Sequence, residues 1–146
     1  MLDMKYICFE RKHFHVPDAS EAIDLYQLVS KNNSKITLIG IGEEASLCLM
    51  LASRFQPDEI ILSPFLTGDT LTGFLNRVKR ECRFLFAVCA PITVYLPMDF
   101  EKNDIKLIGK LLNRTSSLAK KIEFFDSSLV HRNFLTNLCQ RKKTLA

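Results

Sequence analysis

The fold is decided by the stretch from Lys35 to Pro64, which reads KITLIGIGEEASLCLMLASRFQPDEIILSP. Residues 36–39 form a short apolar run with β-branched side chains, and Gly40 and Gly42 permit a tight turn directly after it. An apolar segment of helical length follows, and residues 60–62 resume strand character. The stretch therefore predicts a strand, a turn, a helix and a second strand.

The predicted helix, residues 45–55, is apolar at nearly every position, so it has no solvated face of any width. It is too short to cross a membrane, and we expect a buried core helix. Parallel strands that are joined by a helix and buried on both faces have this composition. Ligands collect at the carboxyl ends of such strands, which directs attention to the turn from Gly40 to Glu44.

The bulk composition fits one globular domain over residues 1–146, because 47% of the residues are hydrophobic and 25% are charged. The formal net charge is +4, and the basic residues are dispersed rather than interleaved with aromatic residues, so we expect no nucleic-acid partner. No apolar run reaches the length of a membrane span, and we expect no membrane association. We place the protein in the cytoplasm, because the first residues lack the pattern of a signal peptide.

The five cysteines are an odd number without a C-x-x-C pair, and four of them lie inside apolar runs. This usage predicts buried, reduced thiols rather than a disulfide framework.

Strand and helix patterns alternate along the rest of the chain. The fold class is therefore predicted as α/β: a three-layer sandwich with a mostly parallel sheet of about five strands and helices on both faces. The further elements are a strand at 5–9, a helix capped by Asp18 or Ser20, a helix from Leu71 through Val88 to a stop at Pro91, a strand at 92–96, a helix from Asn103 or Asp104, a strand at 122–125, and a last helix from about Ser128.

Two residues of catalytic type follow predicted strands. Asp99 comes shortly after the strand at 92–96, and His131 follows the strand at 122–125. Because the carboxyl ends of parallel strands meet at one edge of the sheet, Asp99 and His131 are candidates for a pair. For each residue alone, a turn-stabilising role for Asp99 and a solvent-facing position for His131 are adequate explanations.

This order of elements resembles the α/β-hydrolase fold, the family of serine esterases, lipases and thioesterases. There, a Gly-x-Ser-x-Gly elbow holds the nucleophile between a strand and the central helix, and an acid and a histidine follow later strands. The matching residues are Gly40-Ile41-Gly42-Glu43-Glu44 for the elbow, Asp99 for the acid and His131 for the base. The resemblance covers roughly residues 5–138 and implies a truncated form of the fold, without its early strands.

The resemblance implies a loss of catalysis, because Gly42 stands where the family has its serine and Glu44 stands where it has the last glycine. An acyl-enzyme cannot form at a residue without a side chain. The favoured function is a degenerate, non-catalytic binding or regulatory module, with a small acyl or ester ligand. The alternative is a weak esterase or thioesterase in which Asp99 and His131 activate water and the Glu43 and Glu44 amides stabilise the oxyanion.

A second alternative is a Rossmann-like nucleotide-binding domain, because Gly40-Ile41-Gly42 begins a Gly-x-Gly-x-x-Ala motif after a strand. Glu43 and Glu44 oppose this hypothesis, since they place negative charge where a pyrophosphate would bind. Carboxylates at a helix N-terminus also stabilise the helix without any further function.

A third hypothesis is a protein-interaction module. A hydrolase-like sheet without its early strands exposes an edge at residues 5–9, which a second copy or another protein could cover. His13 and His15 lack a third ligand of suitable spacing, so we expect neither a metal site nor a cofactor.

Overall fold

The alternation of strands and helices predicted from the sequence is confirmed. The computed structural model describes residues 4–11, 15–32, 34–64 and 71–125. Within these ranges the strands are β1 (Met4–Phe9), β2 (Lys35–Ile41), β3 (Glu59–Ser63), β4 (Ile92–Pro97) and β5 (Lys120–Phe125). The helices are α1 (Ala19–Val29), α2 (Ala45–Arg54), α3 (Leu71–Glu81) and α4 (Lys102–Asn113).

All five strands are parallel and form one sheet in the order β1-β2-β3-β4-β5. When right-handed crossovers all progress in the same direction, their helices lie on one face of the sheet. The core has this arrangement, because buried side chains of α1, α2, α3 and α4 share one cluster with alternate residues of the strands. Those strand residues are Ile7, Phe9, Ile36, Leu38, Ile60, Leu62, Ile92, Val94 and Leu96.

The other face of the sheet carries a second, smaller apolar cluster. Ile39, Ile41 and Ile61 are buried there, with Tyr6 and Tyr95 packed against them. No helix of the described part of the chain contributes to this cluster. The predicted helix from about Ser128 lies outside the described residues, so helices on the second face stay a prediction.

Helix α2 is buried along almost its whole length, as its composition predicts. Every residue from Ala45 to Ala52 is buried, because α2 packs on β2 and β3 and lies between α1 and α3. Helix α1 begins as expected, since the side chain of Asp18 accepts a 2.9 Å hydrogen bond from the backbone N–H of Glu21.

Helix α3 is shorter than predicted. It ends at Glu81, and a separate 3-10 turn at Leu85–Ala87 follows. The prediction of a helix through Val88 is wrong, because the backbone of Phe84 leaves the helical region with φ −116° and ψ 54°. Leu85 and Val88 are nevertheless buried, which explains why their spacing resembled a helical stripe.

The prediction of buried thiols is correct for Cys48 and Cys82 and wrong for Cys8 and Cys89, which are exposed. None of these four cysteines of the described chain forms a disulfide. Cys8 is exposed because it alternates with the inward-facing Ile7 and Phe9 on strand β1. Among the described residues, no helix combines the length and the apolar character needed to span a membrane.

Candidate functional site

The connection between β2 and α2 has the geometry of an elbow, a name we use for residues 40–44. Gly42 adopts a positive φ of 73°, a region in which residues with a side chain are strained. Gly40 brings strand and helix together, because a Cβ at this position would lie 2.5 Å from the Ala45 Cα. The two glycines therefore permit a sharp strand-to-helix turn with close packing behind it.

The elbow provides no nucleophile. Gly42 is buried and has no side chain, so no hydroxyl or thiol stands at the tip of the turn. The nearest alternatives are in the buried helix: the Ser46 hydroxyl donates a 2.9 Å hydrogen bond to Glu81, and burial raises the pKa of the Cys48 thiol above its usual range. Ser63, at the end of β3, is also buried, and its hydroxyl points to the carbonyl of Tyr95 at 3.4 Å.

The side chain of Glu44, at the end of the elbow, forms a buried ion pair. Glu44 is 1% exposed, and its carboxylate accepts a 3.1 Å hydrogen bond from the guanidinium of Arg77 on α3. The Nε of Arg11 lies 3.4 Å from the same carboxylate oxygen. A carboxylate removed from water needs such partners, because an unpaired buried charge is strongly unfavourable.

Arg77 has two further hydrogen-bond partners, one on its own helix and one in the loop that precedes α1. Its Nε and Nη2 donate to Glu81 one helical turn away, at 3.2 and 3.1 Å, and Nη2 lies 3.4 Å from the carbonyl of Pro17. Glu81 in turn accepts the hydrogen bond of Ser46. One guanidinium thus connects the elbow, α2, α3 and the loop that precedes α1.

Glu43 completes this arrangement. Its carboxylate lies 3.5 Å from Nη2 of Arg11 and directly against Gly73 on α3, where a Cβ would have no room. The more exposed Arg80 approaches Glu81 at 3.7 Å. We call these residues the ion-pair cluster, in which three carboxylates balance three guanidinium groups: Glu43, Glu44, Glu81, Arg11, Arg77 and Arg80.

A cavity of about 440 Å³ opens beside the ion-pair cluster. Besides cluster residues, its lining includes the polar side chains of Asp18 and Asn76 and the apolar Val16 and Pro17. Such a cavity suits a ligand that presents polar groups and is a poor match for a long apolar chain.

Asp99 lies in an exposed turn that follows β4. The neighbouring Met98 donates its backbone N–H to the carbonyl of Phe125 at 2.8 Å, so this turn lies beside the end of β5. His131 is outside the described residues, and a pair with Asp99 stays a prediction. The ends of β2 and β4 are separated by β3, so these two strands lie about 10 Å apart in the sheet.

The dinucleotide hypothesis fits the structure poorly. A Rossmann sheet reverses its strand order beside the glycine-rich turn, whereas the five described strands follow one another without a reversal. The carboxylate of Glu44 is already paired with Arg77 at the N-terminus of α2, where a pyrophosphate would need positive potential.

No cluster of three or more histidine, cysteine, aspartate or glutamate side chains in the described part of the chain could hold a metal ion. His13 lies outside the described residues. Nε2 of His15 lies 2.6 Å from the carboxylate of Glu21, which gives this exposed histidine a local partner on α1.

Sequence reasoning identified Glu43 and Glu44 but missed Arg77, the partner of Glu44. The available signal was the spacing of Arg77 and Glu81, which four residues apart lie on one side of a helix. No local pattern connects Arg77 to Glu44, since 33 residues separate them.

No protein-family model matches the sequence, and neither does any curated protein. The fold, however, is similar to solved lipase structures. A monoacylglycerol lipase from Paleococcus ferrophilus superposes with a TM-score of 0.53 at 10% identity, over 76% of this chain and 66% of that protein. A soluble variant of monoglyceride lipase from Saccharomyces cerevisiae, in complex with a substrate analog, superposes with a TM-score of 0.50 at 12% identity. The match covers 88% of this chain and 73% of that protein.

The chain thus spans just under two thirds of the length of the first of these lipases. At such low identity the likeness is one of fold, and it agrees with the elbow geometry and with the parallel sheet. We conclude that this protein has an α/β-hydrolase fold.

Proposed function

We propose that this protein is a non-catalytic α/β-hydrolase-like module that binds a ligand or regulates a partner. One observation carries the proposal: the elbow has the positive φ of 73° at its tip, but the residue there is Gly42, which has no side chain. Covalent catalysis of acyl transfer in this fold needs a hydroxyl or thiol at that point.

The ion-pair cluster supports the same conclusion. Around an active elbow we expect an accessible nucleophile, whereas here Gly42 and Glu44 are buried. Helix α3 is held against the elbow by the ion pair of Arg77 with Glu44. The charges of the cluster are satisfied by one another. They therefore stabilise the packing of α2 and α3.

A small acyl or ester ligand is the binding partner that we propose. The solved neighbours are lipases of monoacylglycerols, and the cavity beside the cluster offers the polar groups of Asp18 and Asn76 to an ester and its hydroxyls. We further propose a single module over residues 1–146 in the cytoplasm, where free thiols such as those of Cys48 and Cys82 persist.

Ligand binding can be tested by thermal shift with monobutyrylglycerol, a water-soluble monoacylglycerol whose short acyl chain suits a largely polar cavity. We expect a saturable rise in Tm for the wild type and none for Asn76→Trp, which places a large ring beside the cavity from an exposed position on α3. A wild type without any shift, or an undiminished shift in Asn76→Trp, would contradict the proposed ligand or its place.

The enzymatic alternative is tested by hydrolysis of short-chain p-nitrophenyl esters and acyl thioesters. We expect the wild type and its His131→Ala and Asp99→Asn variants to give the same background rate. A wild-type rate that falls 100-fold or more in His131→Ala would instead support water activation by Asp99 and His131, since general acid–base catalysis contributes about 10²–10⁴-fold.

A further inference from the structure

Strand β5 is one edge of the sheet formed by the described residues, and among these strands it pairs only with β4. Its residues are Lys-Lys-Ile-Glu-Phe-Phe, and most of them are exposed. Phe124, a large aromatic side chain, is 48% exposed. An open edge that carries exposed apolar groups is a surface on which another strand can add.

Two hydrogen bonds fix which residues of β5 face outward. The N–H of Ile92 donates to the carbonyl of Ala119, and the N–H of Met98 donates to the carbonyl of Phe125, both at 2.8 Å. Backbone groups of alternate residues point to the same side of a strand. Residues 119, 121, 123 and 125 therefore face β4, whereas Lys120, Ile122 and Phe124 turn their N–H and C=O groups to the open side.

Two charged side chains of β5, those of Lys121 and Glu123, lie on the sheet face opposite the described helices, whereas the Lys120 ammonium donates to the Leu112 carbonyl of α4 at 3.2 Å. Lys121 is paired in register with Thr93 and Glu123 with Tyr95, which packs in the second apolar cluster. Within one chain, Lys121 and Glu123 form an exposed ion pair of 3.5 Å. The edge thus carries one positive and one negative side chain, two residues apart on the same face.

We propose that β5 is a self-association surface, on which the occupant is β5 of a second copy in antiparallel orientation. The two-fold axis passes beside Ile122, so that Ile122 and the partner's Ile122 exchange hydrogen bonds. Lys120 then pairs with the partner's Phe124, and the ladder contains about six interchain hydrogen bonds.

This register is selected by charge. Residues that lie between hydrogen-bonded pairs are the closest across an antiparallel ladder, and here Lys121 faces the partner's Glu123 while Glu123 faces the partner's Lys121. A shift that moves the axis to residue 121 opposes two lysines, and a shift to residue 123 opposes two glutamates. A register that places an outward-facing residue such as Ile122 opposite an inward-facing residue such as Lys121 or Glu123 forms no ladder, because the inward-facing backbone groups are already bonded to β4.

Apolar contacts support the same arrangement. Phe124 lies opposite the partner's Lys120, whose aliphatic stem can cover the ring. The half-buried Ile122 meets its own copy at the axis, next to the core of each subunit. A two-fold contact of this kind is closed, so it produces a dimer and not a filament.

The test is a charge exchange at two positions, read by sedimentation velocity of the full chain from about 5 to 200 μM. The wild type should show a reversible monomer–dimer equilibrium. Lys121→Glu opposes glutamates at both contacts of the ladder, and Glu123→Lys opposes lysines, so each variant alone should dimerise at least about tenfold more weakly. An equimolar mixture should regain wild-type association, because every contact then joins opposite charges.

Circular dichroism and Tm serve as controls for folding, and both variants should match the wild type because the intrachain pair is exposed. A wild type that remains monomeric at 200 μM would overturn the proposal and indicate that Lys120 and Lys121 protect a bare edge. Dimerisation that neither substitution weakens, or a mixture that does not associate, would also overturn it.

Discussion

The guanidinium of Arg77 donates a 3.1 Å hydrogen bond to the carboxylate of Glu44, two residues beyond the tip of the elbow. Both groups are almost completely removed from solvent. A structural ion pair therefore lies two residues beyond the position at which a hydrolase of this fold carries its nucleophile. The contribution of the Arg77–Glu44 ion pair to the free energy of unfolding can be measured without any ligand.

Arg77→Leu should destabilise the protein by about 3 kcal/mol, because it removes the main partner of two carboxylates, one of them buried. Chemical denaturation followed by circular dichroism measures the effect. The matched control is Arg80→Leu on the same helix. Arg80 is exposed and approaches Glu81 only at 3.7 Å, so its loss should change the free energy of unfolding by less than about 0.5 kcal/mol. Equal effects of the two substitutions would contradict a structural role for the buried pair.

Gly40→Ala should destabilise the protein by about 2 kcal/mol, because the added Cβ would lie 2.5 Å from the Ala45 Cα and 2.9 Å from the Cys48 sulfur. Gly109→Ala is the control, since a Cβ at this position on α4 meets nothing within 4 Å. It should stabilise the protein by about 0.5–1 kcal/mol through helix propensity. Thermal and urea denaturation measure whether each substitution raises or lowers the free energy of unfolding. A Gly40→Ala variant with unchanged stability would show that β2 and α2 are not in close contact at this point.

Cys48 should resist alkylation in the folded protein, because burial raises the pKa of its thiol and excludes the reagent. Burial also raises the pKa of the Cys82 thiol, against the smaller opposing effect of the Ser53 side chain. Brief iodoacetamide treatment at pH 8, followed by peptide mapping, should modify Cys8 and Cys89 first. Modification of Cys48 at the rate of Cys89 would mean that α2 is not the buried centre of the fold.

The sequence was sufficient to predict most of this fold. Residues 45–52 are so apolar that burial on all sides explains them, and of the two elbow glycines Gly40 lies near the end of strand β2 and Gly42 directly after it. The absence of a nucleophile at Gly42 could also be predicted, because it depends on one residue in a local motif. Such features are local, and they need no knowledge of which elements meet in space.

Features that depend on distant contacts could not be predicted in the same way. The ion pair of Arg77 and Glu44 joins α3 to the elbow, and no helix or strand periodicity in the sequence predicts a contact between residues 33 positions apart. The early end of α3 was missed because Leu85 and Val88 reach the core from a 3-10 turn with nearly helical spacing. The strand order, which places the four described helices on one face, follows from tertiary packing rather than from any single stretch.

Intact mass after treatment with a fluorophosphonate probe is the measurement to make first. The wild type should show no added mass, because Gly42 offers no hydroxyl and the Ser46 hydroxyl is buried and bonded to Glu81. Gly42→Ser returns a hydroxyl to the elbow tip and serves as the matched variant, with Tm as the check that it folds despite the positive φ. Stoichiometric labelling of the wild type would show an activated serine elsewhere in the chain and would contradict the non-catalytic function proposed for this protein.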